Sequence, residues 1–186
     1  ARPFADNAST SRPIPPRRSI SASNQPFPNR ATRTPSSHLP LKDALAAHFE
    51  RLKEGDYCVL LAYMNNNPEN RRRLNKIRDE IRETTTAPVA VAWGPRYLHS
   101  TGQLYKGGSP KGLFLELTEP DALSLPIPNE NFSFGTLQRA QARGDFSAML
   151  EAGRRILRLD PGPAGSDSLG ALLNAIEEWR SLSCRI

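Results

Sequence analysis

The chain has 186 residues, 38% hydrophobic and 24% charged, which is enough for one ordinary domain with a real core. Its 25 Lys and Arg outnumber its 19 Asp and Glu, but residues 1–40 alone hold six arginines and one acid, Asp6, a net of +5; the rest of the chain is nearly neutral. The longest apolar runs fall far short of the ~20 residues that span a bilayer, no secretory apolar stretch is present, and two cysteines, Cys58 and Cys184, do not make a disulfide framework, so a reducing compartment fits best.

Residues 1–40 carry eight prolines and seven serines with almost no apolar periodicity, and they read as an extended, Pro/Arg-rich arm separate from a body over 41–186. Arg2, Arg12, Arg17, Arg18, Arg30 and Arg33 give that arm the charge to dock on an anionic surface, either a larger protein assembly or a ribonucleoprotein. An Arg- and Ser-rich, acid-poor N-terminus is also what a cleaved organelle-targeting presequence leaves. An organelle matrix or stroma is the favoured location, and a cytoplasmic one is compatible.

The body opens with Leu41, Ala44, Leu45, Phe49 and Leu52 at helical spacing, a helix that Gly55 should stop. Cys58–Met64 is an apolar run too short for a helix and reads as a buried strand. Asn67-Pro68-Glu69 is a helix start, with a capping amide, proline at the first position and an acid for the dipole. Leu74, Ile77 and Ile81 form its buried stripe, and the Arg71-Arg72-Arg73 run reads as a solvated face or an anion-binding patch. Val89–Trp93 and Leu113–Leu117 are strands with a helix over His99–Lys106 between them. Two short helices, Thr136–Arg143 and Phe146–Gly153, are expected on either side of Gly144. Arg155–Leu159 is the fourth strand, ending at Pro161-Gly162-Pro163, and Ser168 begins a closing helix that buries Leu169, Leu172, Leu173, Ile176 and Trp179. Strands alternating with helices predict an α/β three-layer sandwich on a parallel sheet of four or five strands.

Polar and glycine residues crowd directly after Val89–Trp93, where an α/β protein places its ligand site. Ser100 and Thr101 suit a phosphate, Arg96 and Lys106 its charge, and Gly107 and Gly108 a close backbone approach; His99 suits proton transfer near neutral pH and Gln103 the orientation of hydroxyls. Each has an ordinary structural role available as well: Ser100 and Thr101 as helix caps, His99 as a packing residue, Lys106 as a solvated cation. No His/Cys cluster, phosphate-binding loop of the NTPase type or dinucleotide fingerprint is present, so no metal or cofactor is called for.

The wording of these segments, GPRYLHSTGQLYKGG, LFLEL, LPIPNENFSFGTLQRAQARGDF and EAGRRILRL, resembles the C-terminal sugar-isomerase (SIS) domain of the bacterial bifunctional transaldolase/phosphoglucose isomerases, over residues 44 to 180. The resemblance implies a SIS-like fold, a sugar phosphate as ligand, and a cleft completed by a second domain of the same type. It also implies a proton-transferring carboxylate, which in ordinary phosphoglucose isomerases follows shortly after the glutamine. Lys106-Gly107-Gly108 occupies that place here, and Tyr105 departs from the family's more usual histidine; a tyrosine of ordinary pKa near ~10 is a poor proton shuttle at neutral pH. Glu116, within a strand, faces either side and is not assigned the role. The expectation is a phosphoglucose-isomerase-like domain without turnover of its own, anchored in a larger assembly by its arm. The alternative is a catalytic C-terminal piece of such an isomerase, interconverting glucose 6-phosphate and fructose 6-phosphate with a partner domain.

Overall fold

The computed structural model of the chain describes residues 40–119, 125–159 and 166–183. Apart from Pro40, the predicted arm lies outside the described residues, as do Pro161-Gly162-Pro163 and Cys184. Four strands, β1 (Tyr57–Tyr63), β2 (Val89–Trp93), β3 (Gly112–Thr118) and β4 (Arg155–Leu159), form one sheet in the order β2-β1-β3-β4, and every neighbouring pair is parallel. This is the predicted α/β architecture.

Period-two alternation assigns each strand residue to a layer. Cys58, Leu60 and Ala62 of β1 share a core with Leu113, Leu115 and Leu117 of β3, covered by helices α1 (Leu41–Phe49), α2 (Pro68–Thr85) and α5 (Ser168–Ser183). Val59, Leu61, Tyr63 and Phe114 point the other way, onto α3 (Gly102–Gly107) and α4 (Phe134–Glu151). Trp179 is half-buried and packs against the core beneath α1, α2 and α5, stacked on Phe49 with ring centroids 4.7 Å apart.

The α2 start follows the sequence expectation: Asn67 accepts from the Asn70 amide at 2.7 Å and Pro68 is the first helical residue. The basic run on this helix is spent locally. Arg72 and Arg73 both pair with Glu69, Arg73 also pairs with Asp167 at the start of α5, and Arg71 donates to Asn66. Such exposed, solvent-screened pairs add little to stability.

Three element boundaries differ from the sequence reading. The first helix ends at Phe49 and not at Gly55, which instead takes a left-handed φ of 76° in the turn into β1. The segment expected as one helix over His99–Lys106 divides into a 3-10 turn, Arg96–His99, and the short α3. The two helices expected around Gly144 are one, α4, of 18 residues. Ala142, Asp145, Phe146 and Met149 make a single buried face across that glycine, and continuous tertiary packing outweighs a local propensity cost of about 1 kcal/mol.

Candidate functional site

The chain leaves β1 for one edge of the sheet, at β2, and then crosses to the other side at β3, so strand order reverses between β1 and β3. Ligand crevices in open α/β sheets form at the carboxyl ends of strands beside such a reversal. Here Asn65, just past β1, donates its amide to Glu119, just past β3, at 2.9 Å, and the Glu119 amide reaches the Tyr63 carbonyl at 3.2 Å. Residues 94–103 follow β2 at the same end.

Of the eight residues singled out in the sequence, Arg96, His99, Ser100, Thr101 and Gln103 are exposed on this rim. Ser100 Oγ donates to the Tyr97 carbonyl at 3.3 Å; the side chains of Arg96, His99, Thr101 and Gln103 make no hydrogen bond among the described residues. The remaining three lie in the last turn of α3 and just past it. Gly107 and Gly108 close α3 at its far end, where Arg154, just before β4, binds the carbonyls of Lys106 and Gly108 at 2.5–2.8 Å. The Gly108 amide already donates to the Leu104 carbonyl. Lys106 is partly buried and its ammonium lies 2.5 Å from Asp145.

Beneath the rim lies a buried polar cluster that sequence reasoning did not assemble. The Tyr97 hydroxyl donates to Asp145, and the Tyr63 hydroxyl stands 3.2 Å from that of Tyr97. Glu116 is wholly buried and pairs with Arg158 at 3.2 Å, in the register position directly beside it. The Arg158 guanidinium also lies 5.6 Å from the centre of the Phe146 ring. One Glu116 oxygen, Oε2, has no partner among the described residues. Burial pushes the Glu116 carboxyl up to about 8, against the pull of Arg158 and with Asp145 adding to the rise. Burial also raises Tyr63 and Tyr97 above the ordinary phenol range, so both stay neutral donors.

The missed signal was present in the paired strands. LFLEL and RILRL each place a charge on the same alternate face, and a buried carboxylate in an inner strand needs a cation in the next one. Asp145 fell in the gap between the two helices expected around Gly144; on the single helix observed it shares a face with Ala142, Phe146 and Met149.

Chemically, the rim offers an imidazole, a guanidinium, hydroxyls and an amide to solvent, while Glu116 and Asp145 are withdrawn into the core and Glu119 stays exposed with one oxygen on the Asn65 amide. Tyr105 is buried too, its ring 5.4 Å from that of Phe114. A depression of about 450 Å³ lies elsewhere, lined by Pro126, Glu130, Asn131, Phe132, Ser133 and Thr136 at the start of α4, and none of the eight residues borders it. Among the described residues no group of three or more His, Cys, Asp and Glu side chains is placed to hold a metal. No helix among them is long and apolar enough to cross a membrane.

No family model and no curated protein matches the sequence. Among solved structures, the chain is similar to hypothetical protein TT0462 from Thermus thermophilus, with a TM-score of 0.58 and 21% identity over 78% of this chain. The match covers 39% of that protein, so this chain spans about two fifths of its length, and at this identity the likeness is one of fold.

Proposed function

We propose that residues 41–186 form one wall of a phosphoglucose-isomerase-like sugar-phosphate site, and that this domain alone holds a sugar phosphate without interconverting it. The observation that carries the reading is the split between rim and core. Arg96, His99, Ser100, Thr101 and Gln103 stand exposed at the carboxyl end of the sheet, while Glu116 and Asp145 are sealed below it. Binding needs only the first group. Moving a proton between adjacent sugar carbons also needs a base within reach of the substrate; a fully buried, cation-paired Glu116 does not supply one, and the exposed Glu119 is engaged by the Asn65 amide across the β1 and β3 ends. The family likeness rests on the sequence motifs. The anchoring role of the arm, its protein or ribonucleoprotein partner and an organelle location rest on the composition of residues 1–40.

The catalytic alternative is favoured by one observation. Leu104, Leu125, Phe132, Phe134 and Leu137 are exposed large apolar side chains, Leu104 on the rim helix and the others in the segment leading into α4 and its first turn. A second domain seated there would cover them and complete a cleft.

A coupled assay on the purified chain separates the two readings. The proposal expects no conversion of glucose 6-phosphate to fructose 6-phosphate. Turnover that His99→Ala and Gln103→Ala both abolish would replace it with the catalytic reading.

A further inference from the structure

We propose that Asp145 is the positioning residue of the rim: one buried carboxylate holds residues 96–107 from both ends, and loosening it weakens anion binding between them. The ligand half of this rests on the sugar-phosphate reading; the mechanical half does not.

The geometry is that of a two-point clamp. Tyr97, in the 3-10 turn that begins the rim, donates its hydroxyl to one Asp145 oxygen, and Lys106, in the last turn of α3, places its ammonium 2.5 Å from the other. Between these two anchors lie His99, Ser100, Thr101 and Gln103. Ser100 bonds only to the backbone of Tyr97, and His99, Thr101 and Gln103 make no side-chain hydrogen bond among the described residues, so their placement depends on the anchors. Arg154 adds a third tie at the α3 end, through the Lys106 and Gly108 carbonyls, and Tyr63 extends the Tyr97 end to β1.

The Asp145 side chain is only 1% exposed, so water does not replace a lost donor; one oxygen takes the Tyr97 hydrogen bond, and the other has no hydrogen-bond donor among the described residues and is met by the Lys106 charge. An aspartate in a helix interior has no propensity advantage to explain its presence. The clamp gives it a role.

The same geometry commits the Lys106 charge. With its ammonium on Asp145, Lys106 acts as a tether, which leaves Arg96 and His99 to meet an anion at the rim. Two opposite signs follow. If Asp145 merely restrained a ligand-binding lysine, Asp145→Asn would free that lysine and tighten phosphate binding. If Asp145 positions the rim, the same change weakens it. Tyr97→Phe removes the other anchor without touching any cation, and should act in the same direction.

The test uses the full chain, isotopically labelled, as wild type, Asp145→Asn and Tyr97→Phe. Amide hydrogen exchange is read at residues 98–105 and, as a control, at Val59–Leu61, and each protein is titrated with glucose 6-phosphate and with inorganic phosphate. We expect exchange at 98–105 to rise at least tenfold in Asp145→Asn and severalfold in Tyr97→Phe with the control amides unchanged, and affinity for both ligands to fall at least fivefold. Unchanged rim exchange, equal acceleration at rim and control, or tighter binding by Asp145→Asn would each overturn the proposal. A wild type that binds neither ligand removes the sugar-phosphate reading, and the exchange data then decide the clamp alone. Should Asp145→Asn not fold, Tyr97→Phe decides.

Discussion

Gly94 joins β2 to the rim, and a methyl group on it would sit 2.6 Å from the Tyr63 ring. That ring is buried and its hydroxyl is engaged with Tyr97, so it has little room to retreat. Gly94→Ala should therefore cost about 1–3 kcal/mol through overpacking, measured by urea unfolding with an unchanged denaturant slope. Two buried titratable groups set the pH dependence. His48 donates from Nε2 to the Phe114 carbonyl at 3.0 Å, and burial with Arg51 nearby lowers its pKa to about 4. Its contribution to stability is present above the unfolded value of ~6.5 and is lost as pH falls toward 4. Glu116, raised to about 8, behaves oppositely: its contribution is present below the ordinary value of 4.5 and is lost as pH rises through 8. The two slopes oppose each other between 4.5 and 6.5, and above that range Glu116 acts alone. Stability of the wild type should therefore decline from about pH 6.5 to 8, by at most ~1.4 kcal/mol per pH unit, and Glu116→Gln should abolish the decline. Thermal unfolding of both proteins over that range checks this; parallel curves would show that Glu116 is ionised in the folded chain throughout.

At the scale of the elements, α4 is the informative case. Gly144 suggested a break, yet the helix runs through it because Ala142, Asp145, Phe146 and Met149 keep one buried face in phase. No atom lies within 4 Å of where a Gly144 side chain would begin. Gly144→Ala should accordingly stabilise the chain by about 0.5–1 kcal/mol, read as a higher unfolding midpoint. The strands, the α2 start and the closing helix were legible because each rests on local rules of alternation, capping and helical spacing. The division of residues 96–107 into a 3-10 turn and a short helix was not. It accompanies the contacts of Tyr97 and Lys106 with Asp145, three and two elements further along the chain, and no local pattern encodes such contacts.

For the whole molecule, alternation of strand and helix was enough to predict a parallel sheet with helices on both faces, and strand order then explains why the polar run after β2 stands at the carboxyl edge. The sequence placed eight site residues on one stretch, whereas the fold leaves five on an open rim, draws Lys106 into a buried ion pair and sets Gly107 and Gly108 at the far end of α3. What the linear order of residues 96–108 does not show is that the Lys106 ammonium turns inward to Asp145 while the Lys106 and Gly108 carbonyls are taken by Arg154. Whether the rim binds a sugar phosphate without transforming it is tested most directly by magnetic resonance titration of the labelled chain with carbon-13-labelled glucose 6-phosphate. The expected result is saturable shifts centred on residues 96–103, with the sugar signals remaining those of glucose 6-phosphate; an absence of saturable shifts there, or the growth of fructose 6-phosphate signals, would contradict it.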